Sequence, residues 1–153
     1  MTCSLLRRVA NLRRMRVLGL DVGSRTIGVA VSDELGMGAH AVETIARKGT
    51  VRDTQTILAL ATRFATDHVV VGIPCEPDGS EGHRASRVRV LAEALAAAGL
   101  RVGEVDESFS TVEAEDILLE ADLSRKKRKK VIDRLAAAVI LDRWLAAEKI
   151  GAR

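Results

Sequence analysis

Tyrosine is absent from this 153-residue chain, and Phe64, Phe109 and Trp144 are its only aromatic residues. That excludes a nucleic-acid platform built by stacking bases on a row of rings. Cysteine is scarce too: Cys3 and Cys75 lie far apart and, with no secretory pattern at the N-terminus, read as reduced thiols of a cytoplasmic protein rather than a disulfide framework. His40, His68 and His83 stand singly, and no Cys/His spacing suggests zinc. Long apolar runs are missing, so neither a membrane span nor a signal peptide is expected. The chain is long enough for one domain with a real core, but too short for two full lobes around a nucleotide cleft.

What is present is an ordinary globular composition, 47% apolar and 29% charged, with a formal net charge of +3. The charge is unevenly spread. Residues 1–14 carry Arg7, Arg8, Arg13 and Arg14 and no acid, and Arg125 to Lys130 are six consecutive basic residues. The remainder holds 14 basic against 21 acidic residues. An acidic body with two cationic clusters points to local phosphate contacts rather than to a general polyanion sponge. Residues 1–14 read as a flexible tail or as a start assigned too early, with the domain spanning 15–150.

The apolar pattern predicts a hairpin of two buried strands, Arg16–Asp21 and Thr26–Ser32, and a third strand around His40–Arg47. A helix follows Gly49 and Thr50. A central strand spans His68–Ile73, closed by Pro74. A turn-rich loop leads to a helix from about His83 to Ala98, stopped by Gly99. Arg101–Asp106 is the last strand. Ser110 and Glu113 form a capping box that opens another helix, and a final helix runs from about Lys127 to Glu148. The order β-β-β-α-β-α-β-α-α implies an α/β fold with a mixed five-stranded sheet and helices on both faces.

Acids stand at telling positions. Asp21 ends the first strand, and Asp106 and Glu107 end the last, where ligands gather in open α/β sheets. Asp133 lies on the final helix. Ala136 and Ala137, one turn further on, allow that helix to approach the sheet. Two carboxylates about 4 Å apart repel by roughly 4 kcal/mol at an effective dielectric of 20, a cost that divalent cations remove. Oxygen ligands without His or Cys suit Mg²⁺ or Mn²⁺. Alternation along a strand lets only one of Asp106 and Glu107 face such a site. Arg25 beside the first turn, Arg84 after the long loop, and Arg125, Lys126, Lys127, Arg128, Lys129 and Lys130 are candidate phosphate contacts. A plain solvated face is the competing reading for each.

Four segments, VLGLDVGSRTIGVAVSD (17–33), VVVGIPCEPDGSEG (69–82), VDESFSTVEAEDIL (105–118) and LSRKKRKKVIDRLAAAVIL (123–141), resemble the YqgF/RuvX family. These are small bacterial proteins of RNase H-like fold, described as Holliday junction resolvases and implicated in maturing the 5′ end of pre-16S rRNA. The resemblance runs from about Met15 to Glu148. It implies Asp21, Asp106 or Glu107, and Asp133 as catalytic acids, with Asp21, Glu107 and Asp133 as metal ligands. The family's Asp-Glu-Arg motif reads Asp106-Glu107-Ser108 here, so an Arg that could grip phosphate is replaced by Ser.

The expectation is a metal-dependent, two-metal endonuclease acting on an rRNA precursor or branched DNA, with ribosomal particles as potential partners. It is expected to be a monomer or weak homodimer without membrane attachment. A non-catalytic RNA-binding maturation factor and a small nucleotide-binding ATPase are the alternatives.

Overall fold

A computed structural model of the chain describes residues 16–76, 78–107 and 125–151. The residues 1–14 and the capping box at Ser110 and Glu113 lie outside the described residues. Five strands, β1 (Leu18–Val22), β2 (Thr26–Ser32), β3 (Ala39–Ala46), β4 (His68–Ile73) and β5 (Arg101–Asp106), alternate with α1 (Thr50–Arg63), α2 (His83–Ala97) and α3 (Arg125–Gly151). The sheet order is β3-β2-β1-β4-β5. The first three strands pair antiparallel, whereas β1–β4 and β4–β5 pair parallel. The mixed sheet expected from the sequence is therefore present.

Each strand divides its side chains between the two faces. Leu18, Leu20 and Val22 of β1, Ile27, Val29 and Val31 of β2, and Val69, Val71 and Ile73 of β4 pack against Ile57, Leu60 and Ala61 of α1 and Val88, Leu91 and Leu95 of α2. On the other face Val17, Ala30 and Val70 meet Ala137, Ala138, Ile140, Leu141 and Leu145 of α3. Helices thus cover both faces. None of the described helices is long and apolar enough to cross a membrane.

The α3 face has a feature of its own. Gly19, Gly28, Gly72 and Gly103, on β1, β2, β4 and β5, all lie beneath α3. A Cβ on Gly19 would stand 2.8 Å from the Ala137 carbonyl oxygen, and one on Gly28 only 1.8 Å from that of Asp133. Ala136 and Ala137 are fully buried opposite them. Small residues on both partners let the helix backbone settle almost onto the sheet, as the alanines alone suggested. The helix starts two residues earlier and ends three later than the apolar period implied.

This contact is testable. Gly28→Ala places a methyl group where the α3 backbone lies, so α3 must shift outward; overpacking of this kind costs about 1–3 kcal/mol. Urea unfolding of the variant is expected to show that loss, whereas Gly79→Ala, in an open turn, is expected to lose less.

Candidate active site

Asp21 is on β1 and faces α3, because the parity that sends Leu20 and Val22 to the opposite face leaves Gly19 and Asp21 on this one. The same parity decides between the two acids at the end of β5. Gly103 lies under Trp144 and Val105 packs into the α3 core, so Glu107 continues that face. Its carboxylate sits over Gly72, whose missing side chain leaves room for it. The Glu107 amide donates to the Ile73 carbonyl, which keeps this residue tied to β4 beyond the strand's end.

Asp106 points the other way. It is exposed, and the Cys75 thiol donates to it at 3.5 Å. Of the two acids expected to compete for the site, the structure brings only Glu107 to Asp21, and Asp106 is set aside as a catalytic candidate. Desolvation, with Asp106 as hydrogen-bond partner, raises the Cys75 pKa, which disfavours the reactive thiolate.

Asp133 reaches the site from α3. Its carboxylate accepts a hydrogen bond of 2.6 Å from the Thr26 hydroxyl, and Gly28 lies under its backbone. The sequence reading missed Thr26 and Gly28. Their signal is the run of small residues at every second position of β2 (Thr26, Gly28, Ala30), which marks a face that something approaches closely.

The electrostatics show what these acids lack. Burial raises the Asp21 pKa, the hydrogen bond from Glu107 pulls it back, and the Asp133 charge raises it further. Burial, with the hydrogen bond to Asp21 and repulsion from it, pushes Glu107 up to about 10, against a small opposing pull from Arg84. Burial and repulsion thus favour a proton held between the two carboxyl groups, and the pair titrates as a unit. Among the described residues no three acids, histidines or thiols form a ready-made metal cage. Two are bridged by a proton and the third is held within repelling distance. An all-oxygen set in which a shared proton does the work of a positive charge fits a hard divalent cation such as Mg²⁺ or Mn²⁺.

Asp21 and Glu107 line a cleft of about 290 Å³ whose other walls are Val22, Gly23, Ser24, Pro74, Arg84 and Arg87. Arg84 and Arg87 come from the first turns of α2, which hold no acid. Arg84 stays well exposed and makes a loose 3.7 Å ion pair with Glu76. Arg25 is exposed and is not among the lining residues. The run Arg125 to Lys130 forms the start of α3, on the turns that precede Asp133, and Lys127 is exposed.

A family model described as "RuvX: Holliday junction resolvase" matches residues 15–147. A protein of Myxococcus xanthus is 46% identical over 136 residues, covering 88% of this chain and 90% of its own length. One of Symbiobacterium thermophilum is 48% identical over 134 residues, covering 87% and 93%. Both are provisionally named as pre-16S rRNA nucleases. Among solved structures, T. thermophilus RuvC in complex with a Holliday junction substrate matches with a TM-score of 0.56 at 18% identity, over 89% of this chain and 96% of that one. The fowlpox virus resolvase with Holliday junction DNA matches at 0.53 and 10% identity, over 88% and 99%. At these identities the likeness is one of fold, and it bears out the RNase H-like architecture.

The proton shared by Asp21 and Glu107 has a measurable consequence. Glu107 ionises near its ordinary value of 4.5 in the unfolded chain and near 10 in the folded one. Between those values the unfolded chain gives up a proton that the folded one keeps, so metal-free protein loses stability as pH rises. Denaturant titrations in chelator at pH 5.5 and 8.5 are expected to show the decline, and Glu107→Gln is expected to flatten it. An unchanged slope in that variant would contradict a proton held by Glu107 at neutral pH.

Proposed function

The chain belongs to the RuvX family of Holliday junction resolvases, and from that membership we propose that it is a metal-dependent nuclease that hydrolyses phosphodiester bonds in structured nucleic acid. The 5′ region of pre-16S rRNA and Holliday junctions are its candidate substrates, and the cytoplasm its setting. The names of its relatives favour the first and the fold neighbours the second. The single observation that carries the reading is the pairing of Asp21 with Glu107, with Asp133 close enough to repel Asp21, at a cleft that Arg84 and Arg87 also line.

Asp21, Glu107 and Asp133 would hold Mg²⁺ or Mn²⁺. When bound, a pair of such ions supplies activation of the attacking water and stabilisation of the leaving oxygen. The rest falls to the chain. Glu107 must release its proton before all three acids can act as ligands, so substrate cleavage is expected to rise with pH through the range in which the cation displaces that proton. The Thr26 hydroxyl fixes the rotamer of Asp133. Arg84 and Arg87 offer guanidinium groups to phosphates flanking the cut. The α3 entrance, Arg125 to Lys130, extends the cationic track beyond the cleft. The carboxylates gathered here distinguish this reading from the non-catalytic RNA-binding alternative, which needs only the basic groups.

Asp21→Asn is expected to abolish Mg²⁺- or Mn²⁺-dependent cleavage while leaving the melting temperature near or above that of the parent, since it relieves repulsion. Full cleavage by the purified variant would remove the site. Binding to duplex DNA at six phosphates predicts that log K falls with log salt at a slope of about −5. Arg84→Ala is expected to reduce that slope by about 1, weakening binding more than turnover; a salt-independent affinity would exclude the arginines as phosphate contacts.

A further inference from the structure

A buried ion pair next to the site is not used by the chemistry above. Asp53, in the first turn of α1, is 2% exposed. Its carboxylate accepts from the Lys48 amide at 2.8 Å and from Arg47 Nε at 3.1 Å. The Arg47 side chain is 15% exposed. Its Nη1 reaches on to donate to the Gly23 carbonyl at 3.1 Å, and its backbone amide donates to the Arg25 carbonyl at 2.9 Å. A buried pair of this kind roughly breaks even against well-packed apolar side chains, so stability is a weak reason for its presence. Its geometry is more informative. The guanidinium is a rigid fork with one arm on α1 and the other on the β1–β2 turn.

That turn carries the site on both its feet. Asp21 lies two residues before Gly23. The Gly23 amide closes the turn on the Thr26 carbonyl at 2.8 Å, and the Thr26 hydroxyl holds Asp133. We propose that Arg47, oriented by Asp53, is a positioning residue for the nuclease site: it clamps the β1–β2 turn to α1 and so sets the separation of Asp21 and Asp133. It touches neither metal nor substrate. The inference rests on the reading of Asp21, Glu107 and Asp133 as the cation site.

Arg47→Lys tests it, because an ammonium keeps the charge beside Asp53 but lacks the fork that reaches Gly23. Mn²⁺ binding is read by titration calorimetry, Gly23 amide exchange by NMR in the metal-free protein, and kcat and KM on one junction substrate. The variant is expected to exchange faster at Gly23, to bind Mn²⁺ about ten- to a hundred-fold more weakly, and to lose kcat with KM little changed. Ile57→Ala, a core change on the same helix, serves as control for lost stability and is expected to leave Mn²⁺ affinity and kcat near those of the parent at temperatures where it is folded. Unchanged Gly23 exchange and Mn²⁺ affinity in Arg47→Lys overturn the proposal, as does an equal loss in Ile57→Ala. If the parent protein binds Mn²⁺ no better than Asp21→Asn, the site reading itself fails and the clamp falls with it.

Discussion

The closeness of α3 to the sheet governs everything else in this molecule. Four strands present a glycine beneath it, and the helix answers with buried alanines. Each of these residues forgoes apolar area that a larger side chain would bury, which is a poor choice for stability alone. In exchange the helix backbone comes near enough for an aspartate side chain to extend to the end of β1. A helix carried on leucines would stand further from the sheet and hold Asp133 out of reach of Thr26 and too far from Asp21 to repel it. The spacing of the acids is therefore a property of the packing layer below them, and the chemistry inherits its precision from that layer.

The cost of gathering the acids is visible in their protonation. Burial alone disfavours charge on Asp21 and Glu107, and mutual repulsion adds to it. The metal-free fold resolves the conflict by keeping one proton between them. Such an arrangement is poised rather than relaxed: any divalent cation that displaces the proton relieves the repulsion and the desolvation together. The arginines of α2 line the same cleft as Asp21 and Glu107, so the cavity sets guanidinium groups and carboxylates around one space. The basic run enters α3 against its dipole, a small local penalty.

Much of this was legible from the sequence. The bounds of β4 follow from Val69, Val70, Val71 and Ile73 closed by Pro74, those of β5 from a short stretch that ends in acids, and Asp21 is conspicuous because an acid directly follows the buried strand residue Leu20. Ala136 and Ala137 announced the close approach of α3 correctly. Other features could not be read locally. Whether Asp106 or Glu107 faces the site depends on which parity β5 adopts, and Val102 and Val105 are apolar residues of opposite parity. The hydrogen bond from Thr26 to Asp133 joins positions 107 apart, and Asp53 looks like an ordinary first-turn acid until the fold buries it. Arg25, adjacent to the turn in sequence, proves to be exposed, whereas Arg47, far from it in sequence, is the one that holds it. Short-range pattern reveals the elements; only the sheet order reveals which of their ends meet.

Burial and mutual repulsion favour a proton between Asp21 and Glu107 in the metal-free protein, where the proposed cation would bind. A crystal soaked in Mn²⁺ near pH 8, with diffraction recorded at the manganese edge, tests this most directly. The expected result is an anomalous peak between Asp21 and Glu107, within reach of Asp133, and a separation of the two carboxylates from their direct hydrogen bond. A site that stays hydrogen-bonded and free of anomalous density, with manganese bound elsewhere or nowhere, would contradict it.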